Sequence, residues 1–205
     1  MYIVIEGQDG TGKDTQAKLL ADFFRKQGKT VVHYAESGTA SENPFIADIA
    51  RLNYGSEQNI EEHTRSLLYV INRYEQWKKL AEPTLKSGGV VITTRNWFST
   101  LIYQGYGLKV SRKFIIKLHK LMMPEPYFHP DKIVIFTISD EESARRLIAQ
   151  GKDRQAEVFK SKGKNFQKTL KQAYLTVAKD YQVPTLSADP DIETVQKNLR
   201  QLFQI

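Results

Sequence analysis

No cysteine occurs in the 205 residues. That excludes disulfides, thiolate nucleophiles and zinc sites built on Cys, and nothing in the composition calls for an oxidising compartment. A cytoplasmic location is therefore expected. No apolar run approaches the ~20 residues of a membrane span. Met1 is followed by only a short apolar run, Tyr2 to Ile5, without the basic start of a secretory leader. A protein with no membrane association is expected. Internal repeats and low-complexity linkers are also lacking, so the reading is one domain over residues 1–205.

What is present in excess is positive charge, +7 in formal balance. Such a charge suits nucleic acid, anionic lipid or small phosphorylated ligands. The basic residues are spread along the chain, with one concentration at Lys152 to Lys171 and no aromatic-interleaved RNA-binding pattern. Phosphate handling by a local segment is expected, and nucleic acid is not an expected partner.

Short Val/Ile-rich runs at Tyr2–Glu6, Thr30–Ala35, Val90–Thr93 and Ile133–Ile138, with a fifth possible at Pro184–Ser187, read as strands covered on both faces. Helical periodicity falls between them, at Lys13–Gln27, Ile60–Lys86, Trp97–Met122, Asp140–Gln150, Asn165–Asp180 and Asp191–Gln201. The alternation predicts a three-layer α/β sandwich around a five-stranded parallel sheet. Ligands bind such sheets at the carboxyl ends of the strands.

Directly after the first strand comes Gly7-Gln8-Asp9-Gly10-Thr11-Gly12-Lys13-Asp14-Thr15, a Gly-x4-Gly-Lys spacing that opens a helix. Glycines let backbone N–H groups turn inward around phosphate oxygens, the helix start adds partial positive charge, and Lys13 is placed to reach the β and γ phosphates. ATP is the expected ligand, with Mg²⁺. The motif departs at one place: Asp14 stands where a Ser or Thr hydroxyl normally meets the metal.

With these residues in place, the chain resembles the thymidylate kinases over nearly its full length. The phosphate loop, the run Leu67-Leu68-Tyr69-Val70-Ile71-Asn72-Arg73, and the stretch Arg95-Asn96-Trp97-Phe98-Ser99-Thr100-Leu101-Ile102-Tyr103-Gln104-Gly105 carry the resemblance. It implies a P-loop nucleoside monophosphate kinase fold, transfer of the ATP γ-phosphoryl group to dTMP, and a homodimer. Lys13, Asp9, Arg95 and Arg154 are implied as catalytic, and Glu36, Tyr69, Arg73, Arg95, Ser99, Thr100, Tyr103 and Gln104 as acceptor residues. Arg154 follows from an Asp153-Arg154 pair in a basic, glycine-bounded lid segment at about 151–164. The family aspartate before the arginine is here Thr94, so Asp14 and Thr94 together are read as a metal site with exchanged side chains.

The residues also admit other readings. Tyr69 and Arg73, four apart on a helix, either grip a base or form a core aromatic with an extended arginine. Asp14 either ligates the metal or caps the helix start. Another pyrimidine nucleotide as acceptor, or a nucleotide-binding protein that has lost catalysis, remains open. A candidate for the adenine pocket is Ala188 to Pro190, after the last strand.

Overall fold

In a computed structural model of the chain, residues 1–38, 41–54, 60–150 and 163–205 are described. Five strands form one sheet: β1 (Tyr2–Gly7), β2 (Val31–Ala35), β3 (Val90–Thr94), β4 (Lys132–Thr137) and β5 (Thr185–Ser187). Their order is β2-β3-β1-β4-β5 and every pairing is parallel. β1 and β3 are buried along their whole length. This is why they read as unbroken apolar runs and not as alternating ones.

Successive strand residues point to opposite faces. Ile3, Ile5, Ile92 and Val134 therefore pack with Leu20 and Phe24 of helix α1 (Lys13–Lys26) on one side. Val4, Val91 and Ile135 pack with Trp77, Ile102, Tyr127 and Leu170 on the other. The helices on the second side that precede β4 are α3 (Glu62–Gln76) with its continuation α4 (Glu82–Lys86), α5 (Trp97–Thr100), α6 (Arg112–Met122) and α7 (Glu125–Phe128). Beyond β4 come α8 (Asp140–Gln150), α9 (Gly163–Asp180) and α10 (Ile192–Phe203). The three-layer sandwich expected from the alternation is the observed architecture.

Three differences from the periodicity have physical causes. The helix expected over Ile60–Lys86 contains a widened turn at Trp77–Ala81, just ahead of Pro83. Proline lacks the N–H that would bond four residues back, and the wide turn takes up that loss. The helix expected over Trp97–Met122 ends at Gly107, where Lys109 takes φ 64° and Ser111 caps a new start by accepting from the Phe114 N–H. Helix α2 (Pro44–Tyr54) was not expected; it buries Ile46, Ile49 and Ala50 at helical spacing behind a start held by Asn43.

Candidate active site

Each element that reaches the carboxyl edge of the sheet delivers one part of a single cleft. β1 runs into the phosphate loop. Gly7 takes φ +145°, and a Cβ there would come within 2.8 Å of the Phe136 carbonyl oxygen, so only glycine lets the loop leave the strand beside β4. Gly12 takes φ 80° and stands at the start of α1. Inside the loop, Thr11 donates to the Gln8 carbonyl at 2.8 Å and Lys13 donates to the same oxygen at 2.7 Å. The Gln8 amide in turn donates to the Gln167 carbonyl of α9. Lys13 is almost fully buried; burial and then the nearby Arg95 pull its ammonium down to about 8. An arriving polyphosphate would reverse that shift.

β3 ends at Thr94 and delivers Arg95, whose φ of 73° is unusual for a non-glycine residue. Four contacts over-determine that backbone. The guanidinium donates to the Ser99 hydroxyl at 3.0 Å, the Tyr174 hydroxyl at 3.2 Å and the Gly7 carbonyl at 3.4 Å, and pairs with Asp9. It also lies over the Tyr103 ring, 5.3 Å from the centroid. Strain held in this way is typical of a functional position.

Behind Arg95 sits a group that sequence reading overlooked. Glu6, fully buried in β1, accepts from the Asn96 N–H at 2.7 Å, the Ser99 N–H at 3.1 Å and the Ser99 hydroxyl at 2.9 Å. A carboxylate in an otherwise apolar strand was the visible sign. It fastens the phosphate loop to the helix that follows Arg95.

Arg73, from α3, is buried as well. Its Nε donates to Glu36 at 2.8 Å, its Nη2 to the Asn96 carbonyl at 2.9 Å and its Nη1 to the Thr100 hydroxyl at 2.5 Å, and it lies over Tyr69 at 5.6 Å. Glu36 also accepts from the Tyr127 hydroxyl at 2.9 Å. Burial pushes the Glu36 carboxyl up to about 7, against the pull of Arg73 and Tyr127. Glu36 thus stands behind Arg73, while its neighbours Ala35 and Ser37 line the cleft.

His119 completes this shell. Its Nδ1 lies 2.8 Å from the Ile115 carbonyl, so Nδ1 carries the proton and Nε2, 3.3 Å from Arg73 Nη1, receives one. Burial and then Arg73 hold its pKa down at about 3. A group whose folded pKa lies below its unfolded value binds more protons unfolded, so its contribution to stability is present above about 6.5 and is lost as pH falls. Between pH 6.5 and 5 the wild type should lose about 2 kcal/mol more than His119→Gln, read from denaturant unfolding at each pH. Equal losses would show that His119 titrates alike in both states.

The phosphate loop, the end of β3 and α3 all contribute to the cleft itself. Asp9, Lys13, Asp14, Thr94, Arg95 and Ser99 line it together with Tyr69, Arg73, Thr100, Tyr103 and Gln104, and the Tyr103 hydroxyl donates to Asp9 at 3.5 Å. Gly7, Gln8, Gly10, Thr11, Gly12 and Thr15 belong to the phosphate loop and the first turn of α1 and are not among the lining residues. Arg154 lies outside the described residues, as do residues 151–162 of the expected lid; its last two residues, Gly163 and Lys164, begin α9. Arg146 of α8 was not anticipated. It donates to the Ala188 and Pro190 carbonyls and stands near Gly12, which brings the suspected adenine strip beside the phosphate loop.

A glycine-rich loop folded around a buried lysine, at the carboxyl edge of a parallel sheet of order 2-3-1-4-5 with an arginine at the next strand end, defines a P-loop nucleotide kinase. Comparison with known proteins narrows this. A family model described as thymidylate kinase matches residues 5–199. A probable thymidylate kinase of Thermococcus kodakarensis is 31% identical over 212 residues, covering 100% of this chain and 97% of that protein. A thymidylate kinase of Wolbachia pipientis is 40% identical over 124 residues, 60% of this chain and 58% of its own length. The solved thymidylate kinase of Ehrlichia chaffeensis shares the fold at a TM-score of 0.73 and 24% identity, over 100% of this chain and 98% of the other. The chain belongs to the thymidylate kinase family.

Proposed function

We propose that the protein transfers the γ-phosphoryl group of ATP to dTMP, giving dTDP and ADP. The observation that carries this reading is that Lys13 of the phosphate loop, Arg95, Arg73 and Gln104 line one cleft. An oxygen of the acceptor phosphate attacks the γ phosphorus as the bond to the β-bridging oxygen breaks. Lys13 holds the β and γ phosphates, and Arg95 holds the acceptor phosphate by two parallel donors while stabilising the charge that spreads over the transferred group. Positioning and charge neutralisation suffice; no covalent intermediate on the protein is required.

The base end favours a pyrimidine with two carbonyl oxygens, as thymine has, over cytosine. Gln104 is buried, and its Nε2 has no hydrogen-bond partner among the described residues. Arg73 and the Gln104 amide are both donors, which suits a base bearing two carbonyl oxygens. Cytosine would offer one carbonyl and an amino group, and a donor facing a donor costs a hydrogen bond to a buried group. Tyr69 supplies a ring for stacking.

Mg²⁺ prefers oxygen ligands and usually binds through one or two carboxylates plus substrate phosphates. The cleft offers that donor set in Asp14, Thr94 and Asp9 beside Lys13, so the residues fit the ion. When bound it would neutralise charge between the β and γ phosphates. Arg154 keeps the role of a closing cation that the family resemblance implies.

The decisive assay is steady-state turnover with ATP, Mg²⁺ and dTMP, dCMP, dAMP, dGMP or dUMP as acceptor. dTMP should give the highest kcat/KM. A preference for dCMP, dUMP or a purine would overturn the acceptor assignment, and no turnover with any acceptor would overturn the kinase reading.

No helix among the described residues is long and apolar enough to cross a membrane. The family's setting, and a composition without cysteine, support work in the cytoplasm. A homodimer is part of the reading: Leu67 and Ile71 of α3, one turn apart, are 42% and 38% exposed on the side away from Tyr69 and Arg73. Light scattering after gel filtration should show a dimer that Leu67→Glu with Ile71→Glu converts to a monomer. A monomeric wild type would remove the dimer from the reading.

A further inference from the structure

The phosphate loop and the end of β3 both lack their usual metal-side groups, and the two departures meet in space. Asp14 occupies the position after the loop lysine, where a hydroxyl normally touches the ion. Thr94 occupies the strand end where P-loop proteins commonly hold the ion with an aspartate. The Thr94 hydroxyl donates to Asp14 Oδ1 at 2.7 Å, across the gap between β3 and α1. Both residues line the cleft with Lys13.

Two explanations compete for Asp14. A carboxylate in the first turn of a helix is favoured by the helix dipole, which is reason enough for its presence there. That accounts for its charge and not for its aim, because it accepts its hydrogen bond from Thr94 on a neighbouring strand and lines the cleft beside Lys13. A carboxylate beside anionic phosphates is repelled unless a cation stands between them. Between these two positions one carboxylate and one hydroxyl remain, with places traded.

We propose that Asp14 is the protein carboxylate that ligates Mg²⁺ in the nucleotide complex, and that Thr94 orients Asp14 through its hydroxyl. The assignment rests on the kinase reading but concerns the nucleotide and metal only; the acceptor does not enter it. Thr94 is a positioning residue in this scheme, and Asp14 touches the ion directly.

The test measures metal affinity and not turnover. Mn²⁺ is titrated into the full-length protein saturated with ADP, and free Mn²⁺ is read from its EPR signal. Asp14→Asn keeps an oxygen to accept from Thr94 and removes only the charge, so it should fold as the wild type does. It is expected to weaken Mn²⁺ binding by about 10–100-fold, the range seen when groups around a bound metal are removed. Asp14→Ser should lose as much, and Asp14→Ser with Thr94→Asp should recover to within about 5-fold of wild type, because the carboxylate is restored from the other side. Unchanged Mn²⁺ affinity in Asp14→Asn with ADP still bound overturns the assignment to Asp14. A paired variant no better than Asp14→Ser overturns the exchange of positions. Failure of the wild type to bind ADP at all would overturn the kinase reading along with it.

Discussion

Arg95→Ala is expected to lower kcat/KM for dTMP by about 10³-fold while leaving the fold intact. The scale follows from other sites where one donor to a developing charge is removed, roughly 10²–10³, and from arginines on transferred phosphoryl groups, roughly 10³–10⁵. The fold should survive because the partner Asp9 is 48% exposed and turns to water when the guanidinium is gone. Ser99 keeps its bonds to Glu6. Arg95→Lys retains the charge and loses the planar fork, so it should recover only a small part of the rate. The backbone gives a control: at φ 73°, Arg95→Gly relieves strain that Arg95→Ala retains, and the glycine variant should be the more stable by about 1 kcal/mol. Steady-state kinetics and thermal melts on the three variants decide the matter. A rate within tenfold of wild type for Arg95→Ala would remove Arg95 from the acceptor phosphate.

Arg73→Ala should hurt twice, once in binding and once in folding. Loss of a charged donor to the base is expected to raise KM for dTMP by about 10–150-fold, corresponding to about 1.5–3 kcal/mol, with ATP affected little. Breaking the buried pair with Glu36 is expected to destabilise the protein by about 3–5 kcal/mol, because Glu36 at 1% exposure is left in the interior without its cation. For a chain of this length that is a fall in Tm of about 10 °C. The two losses separate in Arg73→Ala with Glu36→Gln, where the neutral amide no longer needs a cation. Stability should largely return while the KM for dTMP stays high. If KM recovers along with stability, Arg73 acts on the fold alone and the base is read by other groups.

How much of this was legible before the coordinates depends on how locally each feature is encoded. β1, β3 and β4 lie between layers, so their apolar runs carry the information by themselves. The phosphate loop is equally local: its glycines, lysine and spacing fall within seven consecutive residues, and the structure folds them around Lys13 as expected. Arg95 followed from standing at the end of a strand. The Asp14–Thr94 contact was approached from two departures in sequence, and the structure adds a direct hydrogen bond between the two side chains.

The rest depended on partners far apart in the chain. Glu36 looked like a group facing the acceptor, yet it packs behind Arg73 because Tyr127, 91 positions later, closes over it. His119 carried no local sign, since a single histidine on an amphipathic helix is ordinary. Helix α2 was hidden by the loop-like composition that precedes it. Arg146 was overlooked because its partners are carbonyls after β5, and backbone acceptors leave no trace in residue type.

Glu6 has a consequence for anyone wishing to redirect this scaffold to a new acceptor. Because one carboxylate bonds both Asn96 and Ser99 from the strand that launches the phosphate loop, the donor and acceptor halves share a single rigid strut. In the proposed reaction this strut would set the spacing between the two phosphates. A library aimed at altered base choice has freedom at Tyr69, Thr100 and Gln104, which face the cleft and stand clear of that strut. Residues 6, 96 and 99 form an indivisible block, to be inherited whole or redesigned together, and diversity spent on them singly would change the distance of transfer before it changed the choice of acceptor.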